Sequence, residues 1–167
     1  MELLESPEPL APMEQVRRWV AARDGRVEFR RLDGPTATVG EAAATLGVPE
    51  EQVMKSLLYL AGERPHLVVA NGRHRVDERK LAACLGVPRK QVRMATGDEA
   101  LRHAGWPLGV VPPFGHPAPL PTLLDARAAA QPVLWGGTGE ERALLGVAPP
   151  ELVRLTGATV ADLARDS

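Results

Sequence analysis

Cysteine is nearly absent from this chain. Cys84 is the single one in 167 residues, which excludes an intramolecular disulfide framework and a cysteine-rich zinc site. Long apolar runs are missing too: residues 57–61 and 67–70 fall far short of the ~18 residues that a membrane-spanning helix needs. The opening Met-Glu-Leu-Leu-Glu-Ser-Pro-Glu has neither the basic start nor the apolar stretch of a signal peptide. The expectation is a soluble, cytoplasmic protein with no membrane partner. Net charge is only −1, which argues against non-specific coating of nucleic acid. No Walker, G-x-S-x-G or dinucleotide fingerprint occurs, and His66, His74, His103 and His116 lack ligand spacing, so neither metal nor cofactor is expected.

What is present is an ordinary globular balance of 44% apolar and 25% charged residues, at a length that suits one domain. Residues 1–12 read as a loose tail of prolines and glutamates, and 13–167 as a single domain. Helical spacing marks 13–22, with Val16, Trp19 and Val20 on one face, and alternation marks a strand at 27–32. Thr38-x-x-Glu41 and Thr96-x-x-Glu99 are capping boxes, and Gly47 and Gly105 are the expected helix stops. Residues 56–60 and 66–70 are apolar strands. Asn71-Gly72 is a tight-turn signal, and 77–85 is a helix. Six of the 16 prolines fall between 107 and 121, which excludes helix and central strand there. Short strands follow at 122–124, 133–135 and 143–147, then closing helices at 149–155 and 160–164. Strands and helices without regular βαβ spacing give a mixed α/β (α+β) fold class.

Residues 38–56, TVGEAAATLGVPEEQVMKS, resemble 77–95, DERKLAACLGVPRKQVRMA, at an offset of 39. Each copy is a capped helix, Leu-Gly-Val-Pro and a short proline-led helical turn. Lys55 in the first copy stands where Met94 stands in the second, so the unit accepts an apolar side chain there and does not need the lysine. Arginine outnumbers lysine 17 to 3. A lysine between apolar neighbours is costly to bury without a partner, and it could offer a compact charge to a phosphate or carbonyl oxygen.

The Gly-Val-Val-Pro-Pro stretch at 109–113 is the second candidate. Gly109 permits close approach to the backbone, the prolines stiffen it, and Val110 and Val111 keep N–H groups for an oxyanion. His116, after Gly115, could serve as a base or position a water. Cys84, beside Leu81 and Leu85, reads as a core side chain. Gly136-Gly137-Thr138-Gly139 lacks the Lys-Ser/Thr of a phosphate loop and reads as a turn. Residues 71–93 carry a local net charge of +5, a patch suited to a few phosphates.

These residues carry a resemblance. Ala42-Ala43, Leu46-Gly47-Val48, Val53-x-Lys55-Ser56-Leu57, Val68-Val69-Ala70-Asn71-Gly72, Lys80-Leu81, Gly105-x-x-x-Gly109-Val-Val-Pro-Pro113-Phe-Gly115 and Leu120-Pro121 followed by Asp125 resemble the YbaK/ProX family, in order, from about Val27 to Leu163. That family comprises free-standing aminoacyl-tRNA deacylases related to the editing insertion domain of bacterial prolyl-tRNA synthetase. The resemblance implies a curved, barrel-like mixed sheet surrounded by helices. It implies hydrolysis of the ester joining a misattached small amino acid, of the alanine or cysteine type, to the terminal adenosine of a tRNA. Lys55 and Gly109 are the implied catalytic residues, and Val110, Val111, Pro113, Gly115 and His116 the implied substrate contacts. Arg73, Arg75, Arg79 and Lys80 are the expected tRNA contacts. The implied partners are the acceptor end of an aminoacyl-tRNA and an aminoacyl-tRNA synthetase. Trp106 stands where the family often has tyrosine, and Val110 and Pro112 where it often has glycine and serine.

Two other functions compete. Residues 41–55 resemble a helix-turn-helix, although Glu50 and Glu51 would then face phosphates. A module that binds tRNA ends or a synthetase without catalysis would carry the same motifs.

Overall fold

The two apolar runs near the middle of the chain form one antiparallel hairpin, and their lack of alternation reflects burial on both faces. In the computed structural model, which describes residues 10–166, strand β2 (Met54–Ala61) pairs with β3 (Arg64–Asn71) from Met54↔Asn71 to Ala61↔Arg64. One face of the pair packs Met54, Leu58, Leu60, Leu67 and Val69 into the main core; the other packs Tyr59, Val68 and Ala70 against helix α3 (Glu78–Leu85). The hairpin turn is Gly62-Glu63, with Gly62 at φ 63°. Asn71-Gly72 is not a hairpin turn: the Asn71 side-chain amide donates to the Glu51 carbonyl at 2.7 Å and the Gly72 N–H to the Val53 carbonyl at 2.8 Å, tying the end of β3 back to the start of β2.

The duplicated sequence builds the same unit twice. Helices α2 (Val39–Leu46) and α3 both end at a left-handed glycine, Gly47 (φ 75°) and Gly86 (φ 70°). Val-Pro and one 3-10 turn, Glu50–Gln52 or Arg89–Gln91, then lead into a strand. Those strands, β2 and β4 (Val92–Met94), lie side by side with Tyr59 opposite Met94. The 3-10 turn is three residues long and runs straight into β2, so no recognition helix follows α2 and the helix-turn-helix reading fails. Thr38 accepts the Glu41 N–H, whereas Thr96 and Glu99 close the full reciprocal box on α4 (Gly97–Ala104).

Two sheets result. The larger has the order β4-β2-β3-β5-β8, with β5 (Thr122–Asp125) parallel to both neighbours; the smaller is β1 (Val27–Arg31), β7 (Ala143–Val147) and β6 (Leu134–Gly137), all antiparallel. A Val53↔Trp135 bridge joins them. Helix α1 (Pro12–Ala21) lays Val16 and Val20 into the core between them, and the short α5 (Ala126–Ala129) and α6 (Pro149–Thr156) cover the remainder. This is the mixed α/β architecture expected. The expected tail at 1–12 lies outside the described residues up to position 9, and Pro12 already belongs to α1. No helix among the described residues is long and apolar enough to cross a membrane.

Two expectations need correction. Residues 160–164 are not a helix: Thr159–Ala161 form β8, beside β5. Leu163 and Ala164 are buried because the extended chain is held there. The Leu163 N–H donates to Asp125 at 2.8 Å, and the Leu163 carbonyl accepts the Asp77 N–H at 2.7 Å. Cys84 is exposed. The buried face of α3 centres on Leu81, Ala82 and Leu85, and at ~100° per residue Cys84 falls off its edge.

Candidate functional site

Strand β4 has only three residues beside the eight of β2, so it ends opposite the middle of β2. Alongside the remaining edge lies a cavity of about 200 Å³, lined by residues 53–57, the approach to α2 at 36–39, Met94, Leu108, Gly109, Val111, Gly136 and Gly137. Lys55 and Gly109, 54 residues apart in sequence, therefore share one cavity. Its deeper walls are apolar, from Val39, Ala42, Val53 and Leu144. The size suits a group smaller than the drug-sized ligands of roughly 300–1,000 Å³ pockets.

Lys55 is partly buried, and among the described residues it makes no ion pair or side-chain hydrogen bond. Burial lowers its pKa, and the Arg75 guanidinium lowers it further. An ammonium set in this way, without a carboxylate, can offer its charge to an oxyanion or a phosphate oxygen.

Gly109 has φ 93°, and a Cβ built there would meet nothing within 4 Å, so its backbone lies open to the cavity. The loop is fixed from behind. A Cβ on Gly137 would come 3.2 Å from the Val110 carbonyl oxygen, so the bare glycine lets β6 support residues 110 and 111. Val111 also lines the cavity and is buried, packed in the main core. Val110 instead lines a neighbouring depression with Glu41, Glu141 and Arg142.

Further along, the same loop turns to a different cavity. Pro113, Gly115 and His116 line a space of about 210 Å³ with Trp19, Arg23 and Phe114, apart from Lys55. Gly115 has φ 83°, a left-handed conformation that favours glycine, and it lies beside Val16 of helix α1. The His116 Nε2 lies 2.8 Å from the Pro112 carbonyl, which assigns the ring proton to Nε2 and leaves Nδ1 as an acceptor. Burial lowers the His116 pKa, opposed by that hydrogen bond. The substrate contacts expected from sequence are thus divided: Lys55, Gly109 and Val111 come together, and His116 does not join them. Among the described residues no cluster of His, Cys, Asp or Glu is placed to hold a metal ion.

The family profile described as "Aminoacyl-tRNA editing domain" matches residues 33–155, which span every wall of the Lys55 cavity. This chain belongs to the aminoacyl-tRNA editing domain family. The editing domain is 36% identical over 88 residues to a proline–tRNA ligase of Thermotoga sp. (strain RQ2), covering 52% of this chain and 15% of the ligase. It spans only about one seventh of the length of such ligases. It is 29% identical over 126 residues to the uncharacterized protein YwhH of Bacillus subtilis (strain 168), covering 75% of this chain and 78% of the relative. Among solved structures, a candidate trans-editing enzyme for prolyl tRNA synthetase superposes with TM-score 0.86 at 34% identity, covering 95% of this chain and all of the other.

The basic segment of the editing domain is less positive than its sequence. Arg73 pairs with Glu50 at 2.8 Å, Arg93 with Glu99 at 2.7 Å, and Arg89 with Glu78. Lys80 is held by Asp162 at 3.0 Å, the Ala164 carbonyl at 2.8 Å and Asp166 at 3.2 Å, a latch on the C-terminal segment that raises its pKa. Most of these acids lie outside 71–93, which is why a window charge overcounts the patch. Arg75 and Arg79 are exposed and make no ion pair among the described residues. Sequence reading missed Met94, Leu108 and the Gly136-Gly137 pair as cavity residues. A glycine pair inside a strand was the available signal: a Cβ on Gly136 would lie 2.7 Å from the Met54 Cγ.

Proposed function

We propose that this editing domain hydrolyses the ester of a mischarged aminoacyl-tRNA that carries a small amino acid of the alanine or cysteine type, on proline tRNA. The observation that carries the reading is the half-buried Lys55, unpaired among the described residues, in one cavity with the open backbone of Gly109. Likeness to proline–tRNA ligases supports the choice of tRNA, and the 200 Å³ cavity supports a small aminoacyl group. An aminoacyl ester is already activated, so placing water and charge suffices, without a nucleophilic triad.

In this reading the aminoacyl carbonyl lies against Gly109 and Val111, whose N–H groups and Lys55 stabilise the developing oxyanion. Water adds to the carbonyl carbon, the bond to the ribose oxygen breaks, and the proton lost by the water ends on that oxygen. The products are the free amino acid and uncharged tRNA, with no covalent enzyme intermediate. Arg75 and Arg79 guide the acceptor-stem phosphates, while Arg73 and Lys80 are taken up by Glu50 and the C-terminal latch. The setting is the cytoplasm, where a proline–tRNA ligase would generate such substrates.

The test is a panel of tRNAs charged with alanine, cysteine, serine or proline, on matched and proline tRNA, followed for release of free amino acid. Rapid hydrolysis of alanyl- or cysteinyl-tRNA(Pro) with prolyl-tRNA(Pro) spared is the expected result. Tight binding without hydrolysis of any member would replace it with a non-catalytic tRNA-end module.

A further inference from the structure

Among the described residues five large apolar side chains are exposed, and two of them, Met94 (45%) and Leu108 (46%), border the Lys55 cavity. Scattered exposed apolar residues need no explanation, but two at the mouth of one cavity do. Met94 sits across from Tyr59, on the face of the larger sheet that also carries Lys55 and Leu57. Leu108 precedes Gly109 on the loop. The mouth therefore offers a charge, Lys55, next to an apolar shelf. The duplicated unit divides the work: one copy supplies the lysine, and the other puts a methionine in the matching place.

We propose that Met94 and Leu108 form a shelf for the planar base of the terminal nucleoside of the charged tRNA. This rests on the editing reading above. With the ester carbon held at Lys55 and Gly109, and the aminoacyl side chain against the deeper apolar walls, the base is one ribose away. It therefore falls at the mouth of the cavity rather than in its depth. A base has an apolar π-face and a polar edge. A shelf covers the face and leaves the edge in water, so no buried polar group goes unsatisfied. The methionine thioether adds a favourable sulfur–aromatic contact and adapts to the ring's position. Met94 and Leu108 are thus positioning residues for the substrate and take no part in the proton transfers.

The experiment compares wild type, Met94→Ala, Met94→Leu and Leu108→Ala in single-turnover hydrolysis of alanyl-tRNA(Pro). The same tRNA with its terminal base removed, leaving an abasic ribose, serves as second substrate. The expected result is that Met94→Ala and Leu108→Ala each raise the half-saturating concentration about fivefold to tenfold with little change in the maximal rate. Met94→Leu should recover most of the loss, and on the abasic substrate all four proteins should coincide. Equal weakening on both substrates, or no weakening on either, overturns the shelf. If wild type hydrolyses no charged tRNA, the editing reading fails by itself. Calorimetry with amide-linked alanyl-adenosine and alanyl-ribose then decides the shelf: a Met94→Ala loss confined to the adenosine compound keeps it, and a loss on both or neither removes it.

Discussion

Replacing Lys55 with methionine separates chemistry from folding. Most lysines engaged in a site are also engaged in the fold, through an acid that is left unpaired when they are removed. Lys55 has no such acid among the described residues, and both burial and Arg75 disfavour its charge. Methionine has a similar length and no charge to desolvate, and Met94 shows the duplicated unit accommodating it. The melting temperature of Lys55→Met should therefore equal or exceed that of wild type. Catalysis should move the other way. Loss of one positioned electrostatic contact in a water-poor cavity costs about 10²–10³ in rate, so single-turnover hydrolysis of alanyl-tRNA(Pro) should fall by at least ~100-fold. Lys55→Arg should recover little, because a planar guanidinium is larger than the ammonium and aims its donors differently. The assay is release of labelled amino acid at saturating enzyme, with circular dichroism melts run in parallel. A folded Lys55→Met protein with near wild-type hydrolysis would falsify the catalytic role. A sharp drop in melting temperature would instead show that the lysine supports the fold.

Gly109→Val should stop turnover, because it places a branched side chain on backbone that faces the cavity at φ 93°; strain of roughly 1–3 kcal/mol should appear in denaturant melts, and full activity would remove the loop from the site. The alkaline limb of the maximal rate should lie below the ordinary lysine value of 10.5, because in the proposed mechanism Lys55 acts in its protonated form and its pKa is lowered. Arg75→Gln removes one cause of that lowering and should move the limb to higher pH; a limb that stays in place would detach Lys55 from the titration. Asp125→Ala should destabilise by roughly 3 kcal/mol, a fall of about 6–12 °C, since the fully buried carboxylate accepts the N–H groups of Leu163 at 2.8 Å and Arg127 at 3.1 Å. A change under ~1 kcal/mol would show that water replaces it.

Signals that act over a few residues were legible in the sequence. Thr96 and Glu99 cap α4 through each other, and Gly47 and Gly105 end helices in the left-handed region, because both effects are decided within one turn. Lys55 and Gly109 stood out for equally local reasons, a charge among apolar neighbours and a glycine beside prolines. Effects decided by distant chain were hidden. The spacing of Val160, Leu163 and Ala164 suits a helix, yet Asp125 and Asp77 hold that segment extended. Arg73 and Lys80 look like free charge until Glu50, Asp162 and Asp166 are folded against them. Residues 109–116 read as one loop with one purpose, but its two ends open on separate cavities because Val111 and Phe114 anchor its middle in the core.

The walls of the Lys55 cavity run from Thr36 to Leu144, and the smaller sheet that supports it closes only when β7 reaches back to β1, with Val147 opposite Val27. Contacts between residues so far apart are the slow ones in folding, because the loop must be closed before the contact stabilises anything. The β2–β3 hairpin, bridged by two residues, can form early; the cavity cannot. A growing chain that has exposed Lys55, and even Gly109, therefore still lacks the back wall supplied by Gly136, Gly137 and Leu144. Competence to hold a ligand comes at a late step of assembly, once nearly all of the domain is present, and partly made chains carry the lysine without a pocket around it.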